Sequence, residues 1–238
     1  MIELLHQIEQ IDTQIFLFFN GFHNVYWDYF MMIFSDRFVW VPFYASFIFV
    51  LLKNFPVKVV MSTIVVITLI ILFSDQTASG ILKPLVARMR PSNPDNPISP
   101  MVHVVQGYRG GRYGFPSSHA ANAWSMAFFA QYLVRRSKLT IFLCLWALIT
   151  SYSRMYLGVH YFGDILIGTL IGFLYATLYY YIFQYFLRKH TERFKPNHDI
   201  RFANVPIITG LVSIWVIICT SGILSFYNIP LRLSLIHI

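Results

Sequence analysis

Three short stretches of the chain combine residue types that could bind an anion and transfer a group. The first, Lys83-Pro84-Leu85-Val86-Ala87-Arg88-Met89-Arg90-Pro91, places two cations, Lys83 and Arg90, seven residues apart and so on one face of a helix. Aimed together they suit a phosphate, and the planar fork of Arg90 can grip two oxygens at once. Taken alone, the stretch also reads as a basic flank anchoring a span to lipid headgroups. The second, Phe115-Pro116-Ser117-Ser118-His119, directly precedes a long apolar run. A serine pair at a helix start caps it, and the free backbone N–H groups with the positive dipole end make an anion site. His119 in that first turn could protonate a leaving oxygen near neutral pH, or be an ordinary interfacial histidine. The third, Ser153-Arg154-Met155-Tyr156-Leu157-Gly158-Val159-His160-Tyr161-Phe162-Gly163-Asp164, sets His160 and Asp164 four apart. On a helix the carboxylate can hold one ring nitrogen and leave the other as a nucleophile, while Arg154 adds a third cation.

His119, His160 and Asp164 also admit a metal reading, and the His160–Asp164 pair admits a polar bond between helices. Two histidines and one carboxylate are a thin ligand set for hydrolytic zinc, and three nearby cations would repel a metal, so phosphate is the preferred ligand and no cofactor is expected. Cys144 and Cys219 lie in apolar runs and offer neither a disulfide framework nor a thiolate site. The remaining histidines, His6, His23, His103, His190, His198 and His237, show no partner pattern and receive no role.

The elements that must carry these clusters are membrane helices. Only 12% of the 238 residues are charged and 57% are apolar, whereas soluble domains carry about a quarter charged residues. Residues 59–74, 120–134, 139–157, 165–187 and 205–223 read as spans, with 38–52 a shorter sixth candidate. Residues 14–34 are apolar but broken by Asn20, Gly21, His23, Asn24 and Asp28, which suggests an interfacial or re-entrant helical pair. The expected fold is therefore all-α, a polytopic bundle of five to six spans forming one domain over 1–238. Within it the motif core is 83–187, the N-terminal interfacial segment covers about 1–35, and an extra C-terminal span lies at about 205–223. The Pro- and Gly-rich residues 80–118 form an irregular loop over the site. Met1-Ile2-Glu3-Leu4-Leu5-His6 lacks the basic, apolar and small-residue regions of a removable signal peptide.

The net charge of +8 is spread over short loops rather than one soluble face, so anionic lipid and phosphate are expected partners and nucleic acid is not. Lys53, Lys58, Arg135, Arg136, Lys138, Arg188, Lys189, Arg193, Lys195 and Arg201 fall on one side if each run spans once. That side is assigned to the cytoplasm, which puts the three clusters outside. Lys83, Arg88, Arg90, Arg109, Arg112 and Arg154 lie on the outer side, several of them committed to phosphate.

In order and separation the clusters resemble the motifs of the type 2 phosphatidic acid phosphatase superfamily: lysine, six residues, arginine-proline; proline-serine-glycine-histidine; serine-arginine, five residues, histidine, three residues, aspartate. Ser118 stands where glycine is usual. The resemblance implies that His160 attacks phosphorus, that Asp164 orients it, and that His119 protonates the leaving oxygen and then activates water. It also implies that Lys83, Arg90, Ser117, Ser118 and Arg154 bind the phosphate without a metal ion. Arg88, Arg109 and Arg112 fall outside the matched positions and are candidates for headgroup contact. The implied activity is a bacterial inner-membrane lipid phosphatase whose substrate is lipid A, undecaprenyl diphosphate, phosphatidylglycerophosphate or phosphatidic acid. A phosphotransferase passing the phosphoryl group to an alcohol, or a non-catalytic membrane binding protein, is the alternative.

Overall fold

The computed structural model of the protein describes residues 2–190 and 200–230; Arg193, Lys195, His198 and His237 lie outside them. Among the described residues the regular structure is helical, apart from one isolated bridge between Met89 and Tyr113. The first helix, α1 (Ile2–Asn20), has two faces. Leu4, Leu5, Ile8, Ile11 and Phe18 form an exposed apolar stripe, while Asp12, Phe16 and Asn20, four apart, point into the protein. Two such faces are the pattern of a helix suited to a bilayer surface. A break at residues 21–24 follows, and Asn24 restarts the chain by accepting the N–H of Trp27 at 2.9 Å, which caps α2 (Val25–Phe34).

The break falls where the polar residues of 14–34 suggest it, but α2 does not pair with α1. It continues through a turn at Arg37–Trp40 into α3 (Val41–Asn54), the two arms forming one apolar helical pair bent by 63°, the shape of a broken span or a re-entrant loop. Next, α4 (Val57–Asp75) passes through a π-helical stretch, Gln76–Leu82, into the short α5 (Lys83–Val86). The run expected to end at residue 74 is thus a 30-residue span, Val57–Val86, that delivers Lys83 at its tip. It stops at Ala87, which adopts the left-handed conformation with φ 51°.

The remaining helices are α6 (Ser118–Leu133), α7 (Ser137–Tyr156), α8 (Phe162–His190) and α9 (Val205–Tyr227). Together with 57–86, α7, α8 and α9 are long and apolar enough to cross a membrane unaided, and the bent α2–α3 pair is so only when its two arms are taken together. The sixteen residues of α6 extend about 24 Å, somewhat short of a hydrocarbon core. It is nevertheless well accommodated, because it packs against α4, α7 and α8 and buries Ala120, Ala121, Ala123, Ser125, Ala127 and Ala130 among them.

The packing of α6 on α8 fixes the site. Ser117 N–H donates to the Asp164 carbonyl at 2.9 Å at one end, and Tyr132 Oη meets Thr177 Oγ1 at 2.9 Å further along. The two helices therefore run parallel, and both begin at the same end of the bundle. A Cβ at Gly168 would collide with the Ser117 carbonyl, and one at Gly172 with the Ala121 carbonyl. Close approach through small residues is how helices associate when lipid supplies no hydrophobic drive. At the other end, Trp40, Phe43, Phe142 and Trp146 interlock α3 with α7, and Trp40 Nε1 donates to the Phe34 carbonyl at 2.9 Å.

Candidate active site

The parallel start of α6 and α8 brings two positive helix ends together, and the three sequence clusters converge there. His160 is 1% exposed and lies in the tight turn between α7 and α8. Its Nδ1 faces Asp164 Oδ2 at 3.3 Å, and its Nε2 faces Arg90 Nη1 at 3.4 Å. With Nδ1–H donating to the carboxylate, the Nε2 lone pair is directed at the cations. Asp164 is wholly buried, and its Oδ2 also accepts the Tyr161 N–H at 3.0 Å. Burial, then Arg90, Arg154, Lys83 and His119 in order of effect, push the His160 imidazole well below its ordinary pKa. It is therefore neutral and nucleophilic near neutral pH.

The cations are held from several directions. Arg90 donates through Nε to the Tyr113 carbonyl at 3.1 Å and through Nη1 to the Val159 carbonyl at 3.3 Å. Burial and the neighbouring Arg154 lower its pKa to about 10, so it stays charged at neutral pH. Arg154, 2% exposed, donates from Nη2 to Tyr108 Oη at 3.0 Å, and its buried Nε has no partner among the described residues. A buried guanidinium N–H without a protein acceptor is suited to meet an anion. Lys83 Nζ donates to Ser79 Oγ at 3.1 Å and Ser118 Oγ at 3.4 Å. Ser117 is fully buried and its hydroxyl oxygen accepts the Ala120 N–H at 3.3 Å, the cap that starts α6. His119, one residue into α6, is exposed at the mouth.

The loop over the site is irregular but tied down. Arg90 N–H donates to the Arg112 carbonyl at 3.2 Å and Gly114 N–H to the Arg88 carbonyl at 2.9 Å, so two arms of the loop pair across the site. Asn96 Nδ2 bonds the Arg90 carbonyl and Tyr161 Oη, both at 3.0 Å. Two glycines make room for the chemistry. A Cβ at Gly110 would meet Arg90 Nη1 at 2.8 Å, and one at Gly114 would meet Asp164 Oδ2 at 3.0 Å. Gly110 also has φ +67°, which favours glycine by itself.

All eight sequence-predicted residues, Lys83, Arg90, Ser117, Ser118, His119, Arg154, His160 and Asp164, belong to this one end of the bundle. Of the three arginines suggested for headgroup contact, Arg109 is occupied by the Ser92 carbonyl and Ser99 Oγ, and Arg88 by carboxylates. Arg112 is exposed, its guanidinium 5.6 Å from the Tyr113 ring centre. Among the histidines given no role, His103 Nε2 meets Asp28 Oδ1 at 2.9 Å and its ring stacks on His23 at 3.7 Å. Sequence patterns missed Asp12, Tyr108, Gly110 and Gly114, which lie outside the spaced motifs. No group of three His, Cys, Asp or Glu side chains suited to a metal occurs among the described residues.

The sequence profile of the PAP2 superfamily matches residues 60–188, over half of the chain and the segment that holds every one of these eight positions. The chain belongs to the PAP2 superfamily. It is 45% identical over 221 residues to the lipid A 4'-phosphatase of Bacteroides thetaiotaomicron, covering 90% of this chain and 95% of that one. To the lipid A 4'-phosphatase of Porphyromonas gingivalis it is 33% identical over 182 residues, 76% of each chain. The crystal structure of Aquifex aeolicus LpxE shares the fold with a TM-score of 0.55 at 22% identity, over 71% of this chain and 94% of that one. This PAP2 protein is a phosphatase of the membrane, acting on a lipid phosphate.

Proposed function

We propose that the protein removes the 4'-phosphate of lipid A through a phosphohistidine on His160. The observation that carries the chemistry is the His160 ring, fixed at Nδ1 by Asp164 with Nε2 turned toward Arg90. The substrate rests on similarity to two lipid A 4'-phosphatases of comparable length. In the first step Nε2 attacks phosphorus, the P–O bond to the sugar breaks, and His119 protonates the departing oxygen. Asp164 stabilises the positive charge that grows on the imidazole. Lys83, Arg90, Arg154 and the N–H groups at the start of α6 hold the three equatorial oxygens. In the second step His119, now neutral, takes a proton from water, which attacks phosphorus and restores His160 with release of inorganic phosphate.

The site lies at the outer face of a bacterial inner membrane in this reading. Lys53, Lys58, Arg135, Arg136, Lys138, Arg188, Lys189 and Arg201 flank the opposite ends of the helices, and such an excess marks the cytoplasmic side. Phosphate release by purified protein in detergent with EDTA, wild type against His160→Ala, tests the reading on lipid A, undecaprenyl diphosphate, phosphatidylglycerophosphate and phosphatidic acid. Release from lipid A that vanishes in the variant is expected. Activity that depends on added divalent metal, or a fully active variant, overturns the phosphohistidine. A faster rate on another of these lipids overturns the substrate, and transfer to an added alcohol in place of release marks a phosphotransferase.

A further inference from the structure

Outside the spaced motifs, one ion cluster touches the reacting pair. Arg88 Nη1 lies 2.8 Å from Asp12 Oδ2 and 3.1 Å from Asp164 Oδ1, and its guanidinium stacks on the Tyr161 ring at 3.8 Å. Asp12 comes from the inward stripe of α1, far from the motifs in sequence, and its Oδ1 accepts the Gly163 N–H at 2.8 Å. A Cβ at Gly163 would meet Asp12 Oδ2 at 2.8 Å, so glycine there admits the carboxylate. Four residues on, Phe16 packs edge-on against Tyr161 at 5.4 Å. Four more on, Asn20 Nδ2 bonds the carbonyls of Met155, Tyr156 and His103 at 3.2, 2.9 and 3.2 Å. One face of α1 thus braces the turn that carries His160.

The charges show what the brace accomplishes. Asp164 has no exposed surface, and a buried carboxylate without compensation is strongly unfavourable. Paired with Arg88 alone, its charge would be cancelled, leaving nothing to balance the imidazolium that forms as His160 attacks. Asp12 shares the same guanidinium, so Asp12, Arg88 and Asp164 together carry one net negative charge. Burial works against the charge on Arg88, but Asp164 and Asp12 outweigh it and hold its pKa above the ordinary value. Arg88 is thus held by two carboxylates and by the Tyr161 ring.

We infer that Asp12 and Arg88 are positioning residues for the phosphotransfer step: α1 holds Arg88 through Asp12, and Arg88 fixes the orientation and charge of Asp164 behind His160. The inference rests on the phosphohistidine reading above. Its test compares wild type, Asp12→Asn, Arg88→Gln, the double variant, Arg88→Lys and His160→Ala in detergent with lipid A, with rates expressed per folded molecule. Asp12→Asn and Arg88→Gln each lower kcat about 10- to 100-fold, as loss of an outer partner of a reacting group does, with KM within about twofold. The double variant is no slower than the slower single one, and Arg88→Lys restores part of the rate. A raised KM with unchanged kcat places Arg88 on substrate and overturns the inference, as do losses that multiply in the double variant. Melting temperatures that fall while kcat per folded molecule stays at wild type reduce the cluster to a structural tie and overturn it too. A fully active His160→Ala brings down the phosphohistidine reading and this inference together. An inactive His160→Ala beside Asp12→Asn and Arg88→Gln with wild-type kcat brings down the inference alone.

Discussion

His119 and His160 stand at the starts of two parallel helices and are chemically the same side chain, yet their surroundings are opposite. His160 is sealed, 1% exposed and pinned by Asp164, whereas His119 is open at the mouth and its helix is capped by its neighbour Ser117. A nucleophile gains from a fixed lone pair, and a group that gives up a proton and takes it back from water gains from access. In the proposed mechanism the fold assigns two roles to one residue type through environment, as other enzymes do with paired carboxylates.

The comparison breaks most sharply at the sealed residue. His160→Ala is expected to lower phosphate release about 10⁴-fold or more, with no acid-labile phosphoenzyme after labelling. His119→Ala is expected to cost about 10²- to 10⁴-fold on a sugar phosphate. On a lipid phosphate with a good leaving group, formation of the phosphoenzyme recovers and its hydrolysis remains slow, which a burst of product in rapid-mixing kinetics would reveal. Equal burst and steady-state defects would erase the division of labour.

Acidity probes the sealed residue directly. Burial and the cations depress the folded His160 pKa below 6.5, so the unfolded chain binds a proton there before the folded one does. Stability is therefore retained above pH 6.5 and falls as pH drops from 6.5 toward the folded value. Arg90→Gln removes the cation facing Nε2, eases protonation and moves the acid limb of kcat to higher pH, readable from a pH–rate profile. A smaller effect is expected at the helix contact that sets the two histidines side by side. Gly172→Val drives a side chain into the Ala121 carbonyl and should cost about 1–3 kcal/mol of stability, measured by thermal unfolding in detergent. The smallest is Arg112→Ala, an exposed cation beyond the pinned site, with KM raised about threefold as befits a solvent-screened contact.

The three clusters were legible as residues that belong together, but the helix expected to set Lys83 and Arg90 on one face does not form: the chain leaves it at Ala87, and the pairing of the loop arms places Arg90 instead. His160 likewise sits in the turn before α8, one helix start away from Asp164. The spans over α7, α8 and α9 were legible from length and hydropathy, whereas the run at 59–74 extends to Val86, 38–52 joins α2 in a bent pair, and α6 is too short to pass as a span by itself. Asp12 was not legible, because nothing near it in sequence marks it, and its partners arrive from a loop and from the start of α8. The roles of Gly110 and Gly114 were equally hidden, since a glycine that makes room for an arginine looks like any other loop glycine until the arginine is in place. Arg88 read as a cation free for the headgroup; only the folded chain shows two carboxylates claiming it.

The π-helical stretch Gln76–Leu82 can be considered as a matter of phase. In an α-helix each residue advances the side-chain direction by about 100°, and a π-turn holds surplus chain without lengthening the helix in proportion. Removing one residue from this stretch would leave a span just as apolar and still able to insert, yet Lys83 would be delivered about 100° out of register. Hydropathy would not detect the lesion. The span's capacity to cross the membrane and its capacity to aim a cation are separately encoded, the first in composition and the second in the count of residues before the tip.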